Sequence, residues 1–142
     1  MNLQNEQLTE HFKLSEFACN GKMIITPNFI KFIYEVIEPF RKWYKRPINI
    51  NSGYRTRDKN IAVGGVGNSL HLKAMAIDFS FPVEFRSMSH ERKQQFLNNI
   101  NQKWYSLCTK AGGYGQICWY DTYIHLGLSY RRQYFEDKRG KR

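Results

Sequence analysis

The sequence predicts an α+β domain in which a mainly antiparallel sheet is flanked by helices. In two stretches apolar residues recur at helical spacing, whereas other stretches alternate apolar and polar residues with the period of two that is typical of strands. The helical and extended stretches do not alternate regularly along the chain, as they would in a parallel α/β protein. We therefore expect most strand pairs to be antiparallel.

The first helix is predicted to begin at Thr26-Pro27, where a hydroxyl that can cap a helix precedes a proline. Behind this start, apolar residues repeat every three or four positions and form one stripe that we expect to be buried. The stripe comprises Phe29, Ile33, Val36, Phe40 and Trp43. Pro39 is expected to kink this helix or to end its regular part, because proline has no backbone N–H.

A second helix is predicted to begin near Ser87 or Ser89 and to run through the 90s. Its apolar positions keep the same three-to-four spacing and are Phe96, Ile100, Trp104 and Leu107. We expect strands around Ile48 and Ile50, over residues 75–81, and around His125. In the last strand, Tyr123, His125 and Gly127 share one face, and the apolar residues between them share the other.

Length and composition indicate one domain over residues 1–130, followed by a basic C-terminal tail over residues 131–142. The chain has 142 residues, 42% of them hydrophobic, and no apolar stretch approaches the ~20 residues of a membrane span. The tail carries six of the 22 basic residues and two of the 12 acidic ones. The net charge of +10 favours anionic polymers, although an ordinary solvated surface explains it equally well.

The N-terminal residues and the cysteines bear on where the protein is made. MNLQNEQLTEHFKLSEF lacks the apolar core of a signal peptide, so we expect synthesis in the cytoplasm and, for a target outside, delivery by other means. Cys19, Cys108 and Cys118 form neither a C-x-x-C pair nor an even disulfide set. We expect all three to be reduced and structural.

The segment SLHLKAMAID, residues 69–78, carries the strongest chemical signal. His71 lies in a loop, and Asp78 lies seven residues later inside an apolar strand, where an ionised carboxylate is costly unless it is paired. His125 poses a similar problem in the last strand. Two histidines and one carboxylate suffice for a catalytic zinc ion and leave a fourth position for water. On spacing alone, however, His125 could be a hydrogen-bonded core residue and Asp78 could pair with an arginine.

This segment resembles the S-x-H-x-x-G-x-A-x-D motif of the zinc D-alanyl-D-alanine carboxypeptidases, relatives of hedgehog-fold and phage-type cell-wall peptidases. Three further segments are similar to the family's motifs and occur in the same order. They are FKLSEFACN near the start, INSGYRTRDKNIAVGG with its S-G-Y-R and N-x-x-V-G-G motifs, and YDTYIHLGL in the last strand. The resemblance covers roughly residues 12–128 and implies a hedgehog/DD-peptidase-like fold.

The resemblance also implies roles for individual residues. The zinc ligands would be His71, Asp78 and His125, although manganese, iron or cobalt suits such a donor set too. Arg55 matches the arginine that binds the substrate carboxylate or the developing oxyanion, which suits the fixed fork of a guanidinium. Ser69 and Tyr54 would contact the substrate, although Ser69 could instead only shape the turn and Arg55 could form a structural ion pair.

The sequence departs from the family pattern at several positions around the ligands. Ala74 replaces the usual glycine after the first ligand, and Gly127 replaces an aspartate that would support the last histidine. Thr122 stands where relatives have an acidic residue or a histidine as general base. Asp121 is the nearest carboxylate, four residues before His125, and in a regular strand it would lie on the ligand's face. We therefore predict Asp121 as the base, unless a bulge breaks this parity.

The expected function is zinc-dependent hydrolysis of D-amino-acid-containing stem peptides of peptidoglycan by a monomer. The chain would act on the cell wall either as a carboxypeptidase or as an endopeptidase, the latter suiting a phage lysis protein. Because Thr122 replaces the general base of the family, an alternative is a zinc-stabilised module that binds the wall and has lost catalysis. Nucleic-acid binding would fit the charge and the aromatic residues, but the sequence contains no recognisable nucleic-acid motif.

Overall fold

The computed structural model describes residues 6–140 and contains a five-stranded sheet with most of its helices packed on one face. The helices are α1 (Pro27–Phe32), α2 (Glu38–Tyr44), α3 (Arg57–Ala62) and α4 (His90–Lys110), with a π-helical segment, Ile33–Ile37, between the first two. The strands are β1 (Ile50–Ser52), β2 (Ala76–Ser80), β3 (Tyr114–Trp119), β4 (Tyr123–Ser129) and β5 (Tyr134–Asp137). Short 3-10 turns are Leu14–Phe17, Leu70–Lys73 and Val83–Ser87.

The sheet has the order β1-β2-β4-β3-β5, and only the β3–β5 pair is parallel. The prediction of an α+β fold with a mainly antiparallel sheet is confirmed. Alternate residues of the central strands, including Ile77, Phe79, Ile124 and Leu126, are fully buried in the core beneath the helices. The residues between them, including Asp78 and His125, therefore lie on the opposite face of the sheet.

The predicted start of the first helix is correct, but its buried stripe ends differently. Thr26 Oγ1 accepts a hydrogen bond from the N–H of Phe29 at 3.0 Å. Regular α-helix stops at Phe32, and the Glu38 N–H donates to the carbonyl of Ile33, five residues back, before α2 continues through Pro39. The wider π turn takes in one extra residue, which rotates the following side chains by about 100°.

This rotation explains why the prediction of a buried Trp43 is wrong. Trp43 is 36% exposed, whereas the neighbouring Tyr44 is half-buried and packs against the core. Its ring stacks on Phe40 at 5.7 Å and meets Phe79 edge-on at 5.8 Å. The aromatic contact between this helix and the sheet is therefore made one residue later than the simple periodicity predicts.

Helix α4 begins as predicted, since Ser89 Oγ accepts the N–H of Arg92 at 3.2 Å. Ile100, Trp104 and Leu107 are buried, while Phe96 lies half-buried at the edge of the core. Trp104 also ties the helix to the sheet, because its indole N–H donates to the carbonyl of Gly127 at 2.9 Å. None of the helices within residues 6–140 combines the length and apolar character needed to cross a membrane.

The C-terminal segment that we expected to be a basic tail contains a strand of the sheet. β5 pairs with β3 from Gln116 opposite Tyr134 to Trp119 opposite Asp137. Phe135 meets the Trp119 ring edge-on at 4.8 Å, and the Arg139 guanidinium lies 4.9 Å from that ring. At least one of the basic residues therefore packs on the domain instead of extending away from it.

Removal of residues 131–142 is expected to destabilise the protein, because it strips β5 from β3 and exposes Trp119. Burying an apolar side chain is worth roughly 1.5–3 kcal/mol, so a loss of at least about 2 kcal/mol in the free energy of unfolding is expected. Urea titration of the truncated and full chains measures it. Removal of residues 141–142 alone is the control, and equal stability of both truncations would contradict a structural role for β5.

Candidate metal site

The structure brings together the three side chains predicted to share a metal. Asp78 Oδ1 lies 2.9 Å from His125 Nδ1 and 3.2 Å from His71 Nε2, and the two ring nitrogens are 3.2 Å apart. Ligand atoms on a tetrahedral zinc ion with bonds of about 2.0–2.2 Å lie roughly 3.3–3.5 Å apart. The triangle is thus close to the size that a zinc ion would require.

Two of the three residues owe their positions to the register of the sheet. Asp78 on β2 is the antiparallel partner of His125 on β4, so their side chains project side by side from the same face. The neighbours Ile77 and Phe79 are buried in the core on the other face, and a shift of one residue would exchange these environments. The apolar strand pattern therefore fixes the acid opposite the histidine.

His71 is delivered by the 3-10 turn Leu70–Lys73. Ser69 Oγ accepts the N–H of His71 at 3.2 Å where this turn begins, and Ala74 closes it with a left-handed φ of 58°. A left-handed backbone costs a residue other than glycine roughly 1–2 kcal/mol, which explains why relatives have glycine there. Ala74 adopts this left-handed conformation and is itself buried.

Hydrogen bonds behind the two rings determine which nitrogen faces the cluster. The Nδ1–H of His71 donates to the carbonyl of Gly53 at 2.6 Å, which leaves Nε2 with its lone pair. The Nε2–H of His125 donates to Oε1 of Gln116 at 2.6 Å, which leaves Nδ1. Both free nitrogens face Asp78, so the donor set fits a divalent cation better than it fits a purely hydrogen-bonded triad.

Gln116 is a functional residue that the sequence analysis missed. The absence of an aspartate at position 127 predicted that His125 lacks a partner, and this was wrong because Gln116 on β3 supplies one. A Cβ at Gly127 would lie 3.3 Å from Oε1 of Gln116 and 2.8 Å from Cδ1 of Leu70. Glycine at 127 thus leaves room for the Gln116 side chain. The sequence does not show this, because the two residues become neighbours only when β3 pairs with β4.

The protonation states of the cluster suit metal binding. Burial alone would raise the pKa of the Asp78 carboxyl, but the hydrogen bonds and charge that the two imidazoles supply when they are protonated outweigh it and hold this pKa well below its usual range. Burial lowers the pKa of His125. Around neutral pH, Asp78 is an anion and His125 a neutral ring, which are the forms that bind metal ions.

Arg55 lies against the other oxygen of Asp78. Its Nη2 is 3.4 Å from Asp78 Oδ2, and its Nε donates to Ser52 Oγ at 3.2 Å. The backbone N–H of Arg55 donates to the carbonyl of His71 at 2.9 Å, so the arginine and the histidine are also coupled through the main chain. The expected ion pair and a place for Arg55 at the site are therefore both present in the structure.

Asn60 is a second residue whose role the sequence did not reveal. It is only 3% exposed; its Oδ1 accepts from Arg55 Nη1 at 3.3 Å and its Nδ2 donates to the carbonyl of Val66 at 2.9 Å. A Cβ at Gly65 would lie 2.0 Å from this Oδ1, so no side chain fits there while Asn60 holds Arg55. Packing therefore explains why the N-x-x-V-G-G motif combines an asparagine at its first position with a glycine at its last.

Ser69 and Tyr54 are the two residues predicted to contact the substrate. Ser69 uses its hydroxyl to cap the turn, as described above, which agrees with the turn-shaping alternative. Tyr54 is half-buried against the core, and its N–H donates to the carbonyl of Phe17 at 2.8 Å. Contact of either side chain with substrate stays a prediction.

The argument that made Asp121 the general base fails, because it required Asp121 to lie in a regular strand. β4 begins only at Tyr123, and Asp121 lies in the exposed turn between β3 and β4. Its Oδ1 accepts the N–H of Gly140 at 2.9 Å, and its side chain lines a depression shared with His90 and Lys93. Within residues 6–140, no fourth histidine, cysteine or acid completes the cluster of three.

A second group of potential ligands, Glu10, His11 and Glu38, is explained by its internal pairing. Both the backbone N–H and Nδ1 of His11 contact the Glu38 carboxylate, at 2.9 and 2.7 Å. Glu10 is exposed and lies 3.7 Å from Lys42 Nζ. This group ties the N-terminal segment to α2 and leaves the His71–Asp78–His125 cluster as the stronger candidate for a metal site.

Comparison with protein families supports the same site. The sequence profile of the family described as Peptidase M15 matches residues 10–126, a span that contains all three residues of the cluster and Arg55. Enzymes of this family are zinc-dependent metallopeptidases. Comparison with curated proteins gives no match.

The packing of Asn60 against Gly65 can be tested by a double-mutant cycle. Gly65→Ala should lower the free energy of unfolding by about 1–3 kcal/mol, because the new Cβ would overlap the buried Asn60 side chain and overpacking carries a cost of this size. In an Asn60→Ala background the clash partner is gone, so the same change should cost much less. Urea unfolding of the four proteins measures the coupling, and strictly additive effects would contradict it.

Proposed function

Since the chain belongs to the peptidase M15 family, we propose that it is a zinc peptidase that hydrolyses D-amino-acid-containing stem peptides of peptidoglycan. The observation that carries the proposal is the triangle of His71 Nε2, Asp78 Oδ1 and His125 Nδ1, with edges of 2.9–3.2 Å. Three ligands of this kind leave a coordination position open, as catalytic zinc requires.

His71, Asp78 and His125 would hold the metal. A zinc ion in such a site polarises a carbonyl group and makes a water molecule more acidic. The chain contributes rigidity, because the backs of both rings are hydrogen-bonded and Asp78 is held between them and Arg55. Partners of this kind orient the ligands and typically raise metal affinity by 10- to 100-fold.

Arg55 would bind a negatively charged oxygen of the substrate, either a terminal carboxylate or the developing oxyanion. Each of its three guanidinium nitrogens contacts one partner, namely Ser52, Asn60 or Asp78. Because the side chain is already ordered, little of its conformational entropy remains to be lost on binding. A fixed, partly buried fork of this kind recognises a carboxylate more strongly than a mobile surface cation does. Tyr54, directly before Arg55 in the sequence, and Ser69, directly before the turn that carries His71, would add contacts to the substrate.

The cell wall is the proposed site of action. With a net charge of +10, the chain is attracted to the anionic polymers of the wall, where peptidoglycan also carries free carboxylates. Within the proposed class, the chain would act either as a D-Ala-D-Ala carboxypeptidase or as an endopeptidase, the latter suiting a phage-encoded lysis protein.

A wall-binding module stabilised by zinc is the second candidate. It is favoured by one observation, namely that Asp121, the predicted general base, lies in the exposed turn before β4 and accepts the N–H of Gly140. Such a module would retain zinc and bind peptidoglycan without releasing fragments.

Loss of a ligand should abolish both zinc retention and peptide cleavage. We expect His71→Ala and Asp78→Asn to purify without stoichiometric zinc and to lose at least about 100-fold in kcat/KM, because each removes a metal donor. Metal analysis and hydrolysis of a D-Ala-D-Ala-terminated peptide measure the two effects. His90→Ala changes an exposed histidine at the start of α4 and serves as the control. Full hydrolysis by a zinc-free variant would disprove the proposal.

Mass spectrometry of digested muropeptides should separate the candidate functions. A carboxypeptidase releases the terminal D-alanine, an endopeptidase releases larger stem or cross-link fragments, and a binding module sediments with the wall and releases nothing. We expect zinc-dependent release of one of the first two product sets, with an all-L peptide left intact. Sedimentation without release from any wall preparation would favour the binding module.

A further inference from the structure

Tyr123 lies beside the His71–Asp78–His125 cluster, and the motifs of the sequence analysis give it no role. It lies two residues before His125 on β4, so both side chains project from the same face of the sheet. Its register partner on β2 is Ser80, two residues beyond Asp78. Tyr123 is therefore one step along the sheet from the Asp78–His125 pair.

The ring of Tyr123 is held in place by its neighbours. It stacks on Tyr120 with ring centroids 4.3 Å apart and planes only 7° from parallel. Lys138 in turn contacts Tyr120, with Nζ 3.5 Å from the hydroxyl oxygen and 5.5 Å from the ring centroid. The backbone N–H of Tyr120 donates to the carbonyl of Tyr123 at 2.9 Å, which fixes the two rings through the hairpin as well.

The hydroxyl of Tyr123 is accessible to a ligand that binds beside the cluster. The side chain is half-buried and lies on the face of the sheet that carries Asp78 and His125, and its hydroxyl has no hydrogen-bond partner among residues 6–140. The Asp78 carboxylate and the Arg55 guanidinium are both near enough to act on it electrostatically. When a ligand supplies an acceptor, such a phenol exchanges its bond to water for a bond to the ligand.

We propose that Tyr123 is a further catalytic residue of this site, whose hydroxyl donates a hydrogen bond to the scissile carbonyl oxygen as that carbon becomes tetrahedral. The proposal rests on the proposed peptidase function. It assigns the phenol the part of a neutral donor that works together with Arg55, and no proton is transferred from it. A phenol has an ordinary pKa of about 10, so a hydroxyl of this kind carries its proton at neutral pH.

Stacking of Tyr123 on Tyr120 would make this hydrogen-bond donor effective in catalysis, because it fixes the ring before the substrate binds. A donor aimed in advance at the developing charge costs no reorganisation during the reaction, and loss of one such donor typically lowers kcat by 10²- to 10³-fold. Tyr120 and Lys138 would act through Tyr123 as positioning residues, because they contact its ring or its neighbour and not the cluster.

Tyr123→Phe tests the proposal, since it keeps the ring and its stacking and removes only the hydroxyl. On a peptide that the wild-type protein cleaves, we expect kcat to fall by about 100-fold with KM nearly unchanged, as for an interaction made in the transition state alone. Zinc content and the midpoint of thermal unfolding should match those of the wild type. Tyr120→Phe is the matched control and should lower kcat by less than about tenfold.

A measurement that needs no turnover accompanies the kinetics. Titration calorimetry with a phosphinate peptide, which mimics the tetrahedral carbon, should show about 100-fold weaker binding to Tyr123→Phe than to the wild type. Unchanged affinity for this analogue would overturn the proposal, as would a kcat within twofold of wild type or a loss of zinc from the variant. A wild-type protein that cleaves no peptide would refute the proposed function, and the phosphinate titration would still decide the role of Tyr123.

Discussion

The burial of the Asp78 carboxylate is the constraint on which the rest of the site depends. A carboxylate on the buried part of a sheet is tolerated only when its charge is compensated. Here one oxygen faces two imidazole nitrogens and the other faces the Arg55 guanidinium. Because Asp78 is paired with His125 across β2 and β4, the sheet register that builds the core also sets this compensation.

The surroundings of the cluster restrict each ligand from behind. His71 is tied to the carbonyl of Gly53 and His125 to Gln116, so neither ring can rotate without losing a hydrogen bond. Arg55 is restricted in the same way by Ser52 and Asn60. Since these partners come from loops and strands distant in the sequence, the geometry of the site is a property of the whole fold. Such prior ordering reduces the entropy lost when a metal or a substrate binds.

The sequence predicted the features that follow from local periodicity or from a complete motif. Alternation placed Tyr123, His125 and Gly127 on one face of the last strand, and the cap at Thr26 marked the helix start. The motif resemblance, rather than periodicity, joined Asp78 to His125. Trp43 was misplaced because the irregularity expected near Pro39 took the form of a π turn before it, which changed the phase of the helix. The strand-parity argument for Asp121 failed because Asp121 lies in the turn before β4. Gln116 and Asn60 were missed because their roles arise from contacts between separate segments, for which one sequence carries no periodic signal.

The local charge of the site is a better guide to the substrate than the net charge of +10. Charges spread over a surface are screened within about 8–10 Å at physiological salt, so most of them act on a polymer as a whole and on no single bond. At the cluster, a divalent cation together with Asp78 and Arg55 would give a local charge of about +2 in a largely buried setting, where screening is weaker. An excess of this kind favours a group that carries or develops negative charge, such as a peptide carboxylate or the oxyanion of amide hydrolysis. The basic surface would then bring the protein to the wall, whereas the cluster would select the bond.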